Sequence, residues 1–264
     1  MLKSLCAILA LAIASAALAA ETTTPVLGPT RDAAAQIAAQ QPVSLEKLPP
    51  AQFLDFVRQP LRKDVWGEVT GRVVHKKGWS SSVEAAILVR VSFTEDGMAA
   101  QIVLNDANVY GLTQHHDGVD KATIELDLPP DEQKPGLFDL GLEPEDLSFA
   151  FIYWDFMEEL PRETSRWQPC RVMKLASPKG DGYVKVLFSV EHGFPMEAEW
   201  YKNGEKKPWR TLVMKGARKY ENGLWFVSEM RLDGKGWKTS VKFDYANLNP
   251  VGNLEKAGEG SSEQ

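Results

Sequence analysis

Between residues 170 and 248 the chain is cut into short pieces by turn signatures. Lys179-Gly180-Asp181-Gly182, His192-Gly193, Asn203-Gly204, Asn222-Gly223 and Asp233-Gly234 separate five or six apolar segments at 171–176, 183–190, 196–202, 209–215, 224–232 and 237–245. Each segment alternates with period two, and turns of these types join neighbouring antiparallel strands. No helical pattern intervenes, so parallel pairing, which needs long crossovers, is excluded for this half.

The same period appears earlier. Val65, Val69 and Val73 share one strand face, with Trp66, Thr70 and Val74 on the other. Gly67 and Gly71 mark bending or close backbone approach. Val83, Ala85, Ile87, Val89, Val91 and Phe93 form one face of a second strand, and Met98, Ala100, Ile102 and Leu104 one face of a third. Weaker strands are expected at 109–112 and 122–128. The total is about ten strands.

Helical signal is confined to an Ala-rich stretch at 31–40 and to Phe53, Leu54, Phe56 and Val57, between Pro49-Pro50 and Pro60. Residues 129–141 read as a long loop whose Leu137, Phe138 and Leu140 dock inward. Periodicity leaves 147–156 open between helix and strand. A large antiparallel sheet with so few helices must curl to cover its apolar face. The expected fold class is therefore mainly β, a curved antiparallel sheet or incomplete β-barrel with short helices over its open side.

The 264 residues are 44% hydrophobic and 25% charged, which suits one domain with a sizeable core, placed at 49–248. A formal charge of −6 argues against nucleic acid as partner. Lys3, the apolar run 5–18 and Ala17-Leu18-Ala19 have the form of a cleavable signal peptide over 1–20, too short to span a bilayer. The expectation is export to the periplasm. Residues 21–48 form a flexible lead with a weak helix, and 249–264 a polar, disordered tail. Removal of residues 1–20 leaves Cys170 as the only cysteine, so no intramolecular disulfide is expected.

Signals for catalysis are sparse. His115-His116-Asp117 reads as a polar turn, because adjacent residues on a strand diverge and no third ligand stands at metal spacing. His75 and His192 sit beside turn residues and are expected to be solvated. Cys170 is expected to be a small buried residue. No nucleophile elbow, zinc-protease helix or phosphate loop is present. Glu143, Glu145, Asp146, Glu158 and Glu159 read as helix capping and a solvated rim. A hydrolase built on a carboxylate pair is the least favoured function. No cofactor, metal or enzymatic role is expected.

The stronger signal is apolar. Several C-terminal strands carry large apolar residues on both faces, where a one-sided sheet would be polar outside. Either covering helices and the segment 147–156 bury the second face, or the sheet lines a cavity soft enough for acyl chains. Alternation nominates Ile87, Phe188, Trp200, Met214, Trp225 and Phe226 as cavity-lining residues. A one-residue slip would invert that set.

A series of segments carries a family resemblance. It comprises Leu140-Gly141-Leu142, Glu145-Asp146-Leu147-Ser148-Phe149, Tyr153-Trp154-Asp155 and Cys170-Arg171-Val172-Met173-Lys174-Leu175. Gly182-Tyr183-Val184-Lys185-Val186, Glu197-Ala198-Glu199-Trp200-Tyr201 and Lys242-Phe243-Asp244 continue it. Across 137–248 the chain resembles the outer membrane lipoprotein-sorting proteins, divergent relatives of the periplasmic carrier LolA. The resemblance implies a half-open barrel closed by short helices, monomeric, binding lipoprotein acyl chains or another lipid for transfer towards the outer membrane. Membrane-bound donor and acceptor proteins are the implied partners. The better-known carriers gate their lid with an arginine, for which Arg58 and Arg62 are the available positions. The alternative on the same fold is a lipid- or protein-binding sensor that retains its ligand without transport.

Overall fold

The computed structural model describes residues 44–58, 65–79, 82–94, 97–116, 121–219 and 225–250. The signal peptide, most of the lead, Arg62, Asp117 and residues 251–264 lie outside the described residues.

Twelve strands follow a 3₁₀ turn, Leu45–Lys47, and one amphipathic helix, α1 (Pro50–Arg58), which buries Phe53, Leu54 and Val57. The first five are β1 (Val65–Lys77), β2 (Val83–Thr94), β3 (Gly97–Leu104), β4 (Asn108–His116) and β5 (Ala122–Asp127). The other seven are β6 (Asp155–Ser165), β7 (Gln168–Ala176), β8 (Gly182–Ser189), β9 (Pro195–Lys202), β10 (Arg210–Lys219), β11 (Trp225–Gly234) and β12 (Trp237–Pro250). All pairings are antiparallel, in the spatial order β5-β4-β3-β2-β1-β12-β11-β10-β9-β8-β7-β6. Two meanders therefore meet at the β1–β12 ladder, which spans the full length of β1. The sheet does not close; β5 and β6 are its free edges.

Close approach at the centre of this ladder explains one glycine. The register shifts between Thr70 and Gly71, and a Cβ on Gly71 would run into the Lys242 carbonyl. Alternation then places Val65, Val69 and Val73 of β1 with Ala85, Ile87, Val89, Val91 and Phe93 of β2 in one core.

Two strands exceed the expected ten, and the clearest addition is β6. Its residues are nearly all at least part-exposed, so no apolar alternation announces it. As an edge strand it tolerates Pro161, which falls where the β6–β7 register shifts between Leu160 and Glu163. Glu158 and Glu159 consequently sit on a strand, and the helix-capping expectation fails for them.

The two-sided apolar character has a physical source. Besides the main core, Cys170, Val172 and Leu187 form a small second cluster with Leu160 and Met196. The β6–β7 turn reaches past it: Ser165 bonds Glu197 (3.0 Å) and Arg166 donates to the Met214 carbonyl (3.0 Å). Cys170 is buried, as expected, and burial raises its thiol pKa.

Candidate functional site

Both free edges of the sheet are joined by one connection, residues 128–154, which we term the strap. It contains a 3₁₀ turn (Phe138–Leu140), the short helix α2 (Pro144–Ser148) and a second 3₁₀ turn (Ala150–Tyr153). Leu137, Leu140, Leu142, Leu147, Phe149, Phe151 and Ile152 are all at most 1% exposed and belong to the main core. The strap thus fills the inner face of the sheet. Phe138 departs from expectation, being 47% exposed. The undecided stretch 147–156 resolves into the end of α2, the second 3₁₀ turn and the start of β6. Phe149 joins the first two with φ of 49°, a left-handed conformation that costs a non-glycine residue about 1–2 kcal/mol.

Buried polar side chains tie the strap's main chain to the sheet and to α1. Arg58, at the end of α1, donates from Nε to the Ile152 carbonyl (2.8 Å) and from Nη2 to that of Trp154 (2.7 Å). Tyr153 returns a bond from its hydroxyl to the Arg58 carbonyl (3.2 Å). The carbonyl of Leu140 accepts from the Thr239 hydroxyl (2.6 Å) and lies 3.1 Å from His75 Nδ1. Tyr110 accepts from the Leu137 amide (2.9 Å), and the Asn108 amide group bonds both the carbonyl and the N–H of Gln133 (2.6 and 2.7 Å).

The deepest fastening is ionic. Asp146 in α2 is wholly buried and pairs with Arg210 of β10, whose guanidinium lies 5.1 Å from the Trp200 ring centre. Asp146 Oδ2 also accepts the Glu143 amide (2.7 Å), capping α2 as the sequence led us to expect. Burial raises the Asp146 carboxyl to about 6 despite the pull of Arg210. Burial raises Glu143 as well. Arg171 performs a comparable task for the amino-terminal cover. It donates to the Leu45 and Leu48 carbonyls (3.0 and 2.7 Å), pairs with Glu159 through two bonds and lies over the Phe53 ring.

No family model matches the chain, and no curated protein does. Solved structures do. A domain described as an outer membrane lipoprotein-sorting protein domain from Vibrio parahaemolyticus aligns with a TM-score of 0.58 at 17% identity, covering 79% of this chain and 95% of that one. A DUF1329 family protein from Desulfovibrio piger aligns with a TM-score of 0.57 at 15% identity, over 77% and 92% of the two chains. A LolA superfamily protein from Nitrosomonas europaea gives 0.51 at 10% identity, over 77% and 95%.

The fold is LolA-like. At these identities the likeness is one of architecture.

Within this LolA-like frame, Ile87, Phe188, Trp200, Met214 and Phe226 are buried members of the single main core. Trp200 meets the strap directly, edge-on to Phe151 (5.2 Å), and Phe188 meets Phe53 of α1 (5.7 Å). The side chain of Trp225 lies outside the described residues, although its backbone pairs with Lys219. A groove of about 560 Å³ lies elsewhere, lined by Trp66, Glu68, Arg90 and Thr113, which point away from the core.

Two histidine expectations are corrected. His75 is 9% exposed and bonded, rather than solvated, and its ring stacks on Trp237 (5.9 Å). His115 and His116 end β4 rather than forming a turn. His116 packs edge-on against Tyr153 (4.8 Å), and burial lowers its pKa. No helix among the described residues is long and apolar enough to cross a membrane.

Apart from Arg58, which the resemblance had offered, the side chains that fasten the strap and the amino-terminal cover escaped sequence reasoning, yet they carry a signal. Arg171, Arg210, Thr239, His75 and Asn108 each occupy the inward parity of an alternating strand, two residues from a core apolar position or, for Asn108, from buried Tyr110. A polar side chain at such a position requires a buried partner.

Proposed function

We propose that the protein is an exported, non-enzymatic carrier that receives acyl chains of lipoproteins, or of another lipid, on the inner face of its sheet. One observation supports this: beside α1, that face is covered by the strap, whose apolar side chains pack on it in the main core. The strap's Leu and Phe side chains occupy the place in which an acyl chain would be shielded, and its main chain is held by side chains of Arg58, His75 and Thr239 rather than by a β-ladder. Each methylene withdrawn from water stabilises a bound lipid by about 0.8 kcal/mol, so a long chain can compensate the loss of strap packing.

On this account Arg58 is the gating arginine that the family resemblance implies. Ile87, Phe188, Trp200, Met214, Trp225 and Phe226 would receive the lipid, and the amino-terminal segment 1–20 directs export to the periplasm. Retention without transfer, the sensor alternative, is separated by experiment.

Lipid extracted from the purified exported protein, identified by mass spectrometry, should include acylated species. A fluorescent acyl probe should bind and then pass to acceptor vesicles. Binding without passage would assign the fold to sensing. A folded protein that neither retains nor takes up acyl ligand contradicts both. Phe188→Asp should abolish probe binding, with circular dichroism reporting whether the fold persists.

A further inference from the structure

Three adjacent turns form one rim of the sheet, and their composition differs from that of the rest of the molecule. They connect β1 to β2, β11 to β12 and β9 to β10. Their adjacency is fixed by the ladder: Lys77 pairs with Trp237, Gly234 with Arg210, and the Gly78 amide donates to the Gly236 carbonyl (2.7 Å). Across 75–79, 202–209 and 233–238 stand seven lysines, Lys76, Lys77, Lys202, Lys206, Lys207, Lys235 and Lys238, all exposed. Only two carboxylates, Glu205 and Asp233, share these turns, in a chain whose formal charge is −6. Two tryptophans project among the lysines: Trp79 is fully exposed, at 105%, and Trp209 is 41% exposed.

We infer that this rim docks onto the surface of an anionic phospholipid bilayer. Indole rings with lysines around them match the headgroup region, where an amphipathic ring sits at the boundary and ammonium groups meet lipid phosphates. A protein partner fits less well. Protein interfaces are depleted in lysine and enriched in arginine, and the exposed cations here are all lysines, point charges that need no fixed acceptor geometry. A fully exposed Trp79 gains little from the fold itself and much from burial in a lipid boundary.

Docking at this rim would place the bilayer beside the strap's seat. His75 and Thr239, which hold the Leu140 carbonyl, adjoin Lys76 and Lys238 in sequence, and Arg210, which holds Asp146, adjoins Trp209. The inference concerns the membrane surface alone and stands whether or not the inner face carries lipid.

The test is co-sedimentation of the purified exported protein with phosphatidylcholine vesicles, with and without phosphatidylglycerol. Binding is expected only with phosphatidylglycerol and should disappear at high salt. Each lysine near an anionic surface contributes about fivefold to partitioning, so the charge-neutralising K206Q/K207Q/K235Q triple variant should bind about a hundredfold more weakly. Trp79→Ser should weaken binding without lowering the thermal unfolding midpoint, because that side chain is fully exposed. Equal binding to neutral vesicles, or unchanged binding by the triple variant, overturns the inference. Absence of binding to anionic vesicles also overturns it and leaves the rim to an acidic protein.

Discussion

Arg58 is the side chain through which α1 holds the end of the strap. Its guanidinium satisfies two strap carbonyls, those of Ile152 and Trp154, and each buried carbonyl left unpaired costs about 1–3 kcal/mol. Arg58→Met should therefore accelerate hydrogen exchange at 150–154 by orders of magnitude, while amides in the β8–β9 ladder keep their protection. Equal acceleration in both regions would make Arg58 a general stability residue. Asp146 makes a pH-dependent contribution. Burial raises its pKa from 3.8 to about 6, so the folded state holds its proton more tightly than the unfolded chain. Stability from this group is full below 3.8 and lost as pH rises through about 6. Relative to Asp146→Asn, the unaltered protein should gain thermal stability as pH falls through that window. The opposite slope would mean that the Arg210 pairing outweighs burial.

Among the elements, strands and strap differ in what encodes them. Strands β7 to β12 are legible because every second residue is apolar and Gly-containing turns bound them. Strand β6 is illegible for the converse reason: an edge strand with both faces near solvent has no alternation to display. The strap was only half legible, since Leu137 and Leu140 dock as their apolarity suggests while Phe138 between them turns outward. A left-handed Phe149 lies beyond propensity altogether, because it is held by the buried packing of Phe149, Phe151 and Ile152 in the core and not by the local sequence. Truncating the strap should be costly. Phe151→Ala removes a ring packed against Trp200 and Phe149 and should lower stability by about 3–5 kcal/mol, measured by denaturant unfolding. A loss below about 1 kcal/mol would mean that the strap packs loosely enough to contribute little.

For the whole molecule, the curved sheet followed from simple arithmetic: about ten antiparallel strands and hardly any helix must curl. What pattern alone could not provide was the β1–β12 seam, a contact between residues 160 or more positions apart for which Gly67 and Gly71 were the visible hints. Gly71→Val should prevent folding, because the Lys242 backbone occupies the space the side chain needs. Soluble, cooperative folding of that variant would contradict the seam. The six nominated lining residues were chosen by parity, which says which way a strand side chain points but not whether it faces a cavity or the segment 147–156, the two readings the sequence left open. The account rests on that strap and a lipid competing for one surface. Hydrogen–deuterium exchange of residues 137–153, with and without saturating acyl probe, tests this most directly. The account predicts that the strap loses protection when the probe binds while the twelve strands keep theirs. Full binding with strap protection unchanged would show that the lipid sits elsewhere and that the inner face is simply a core.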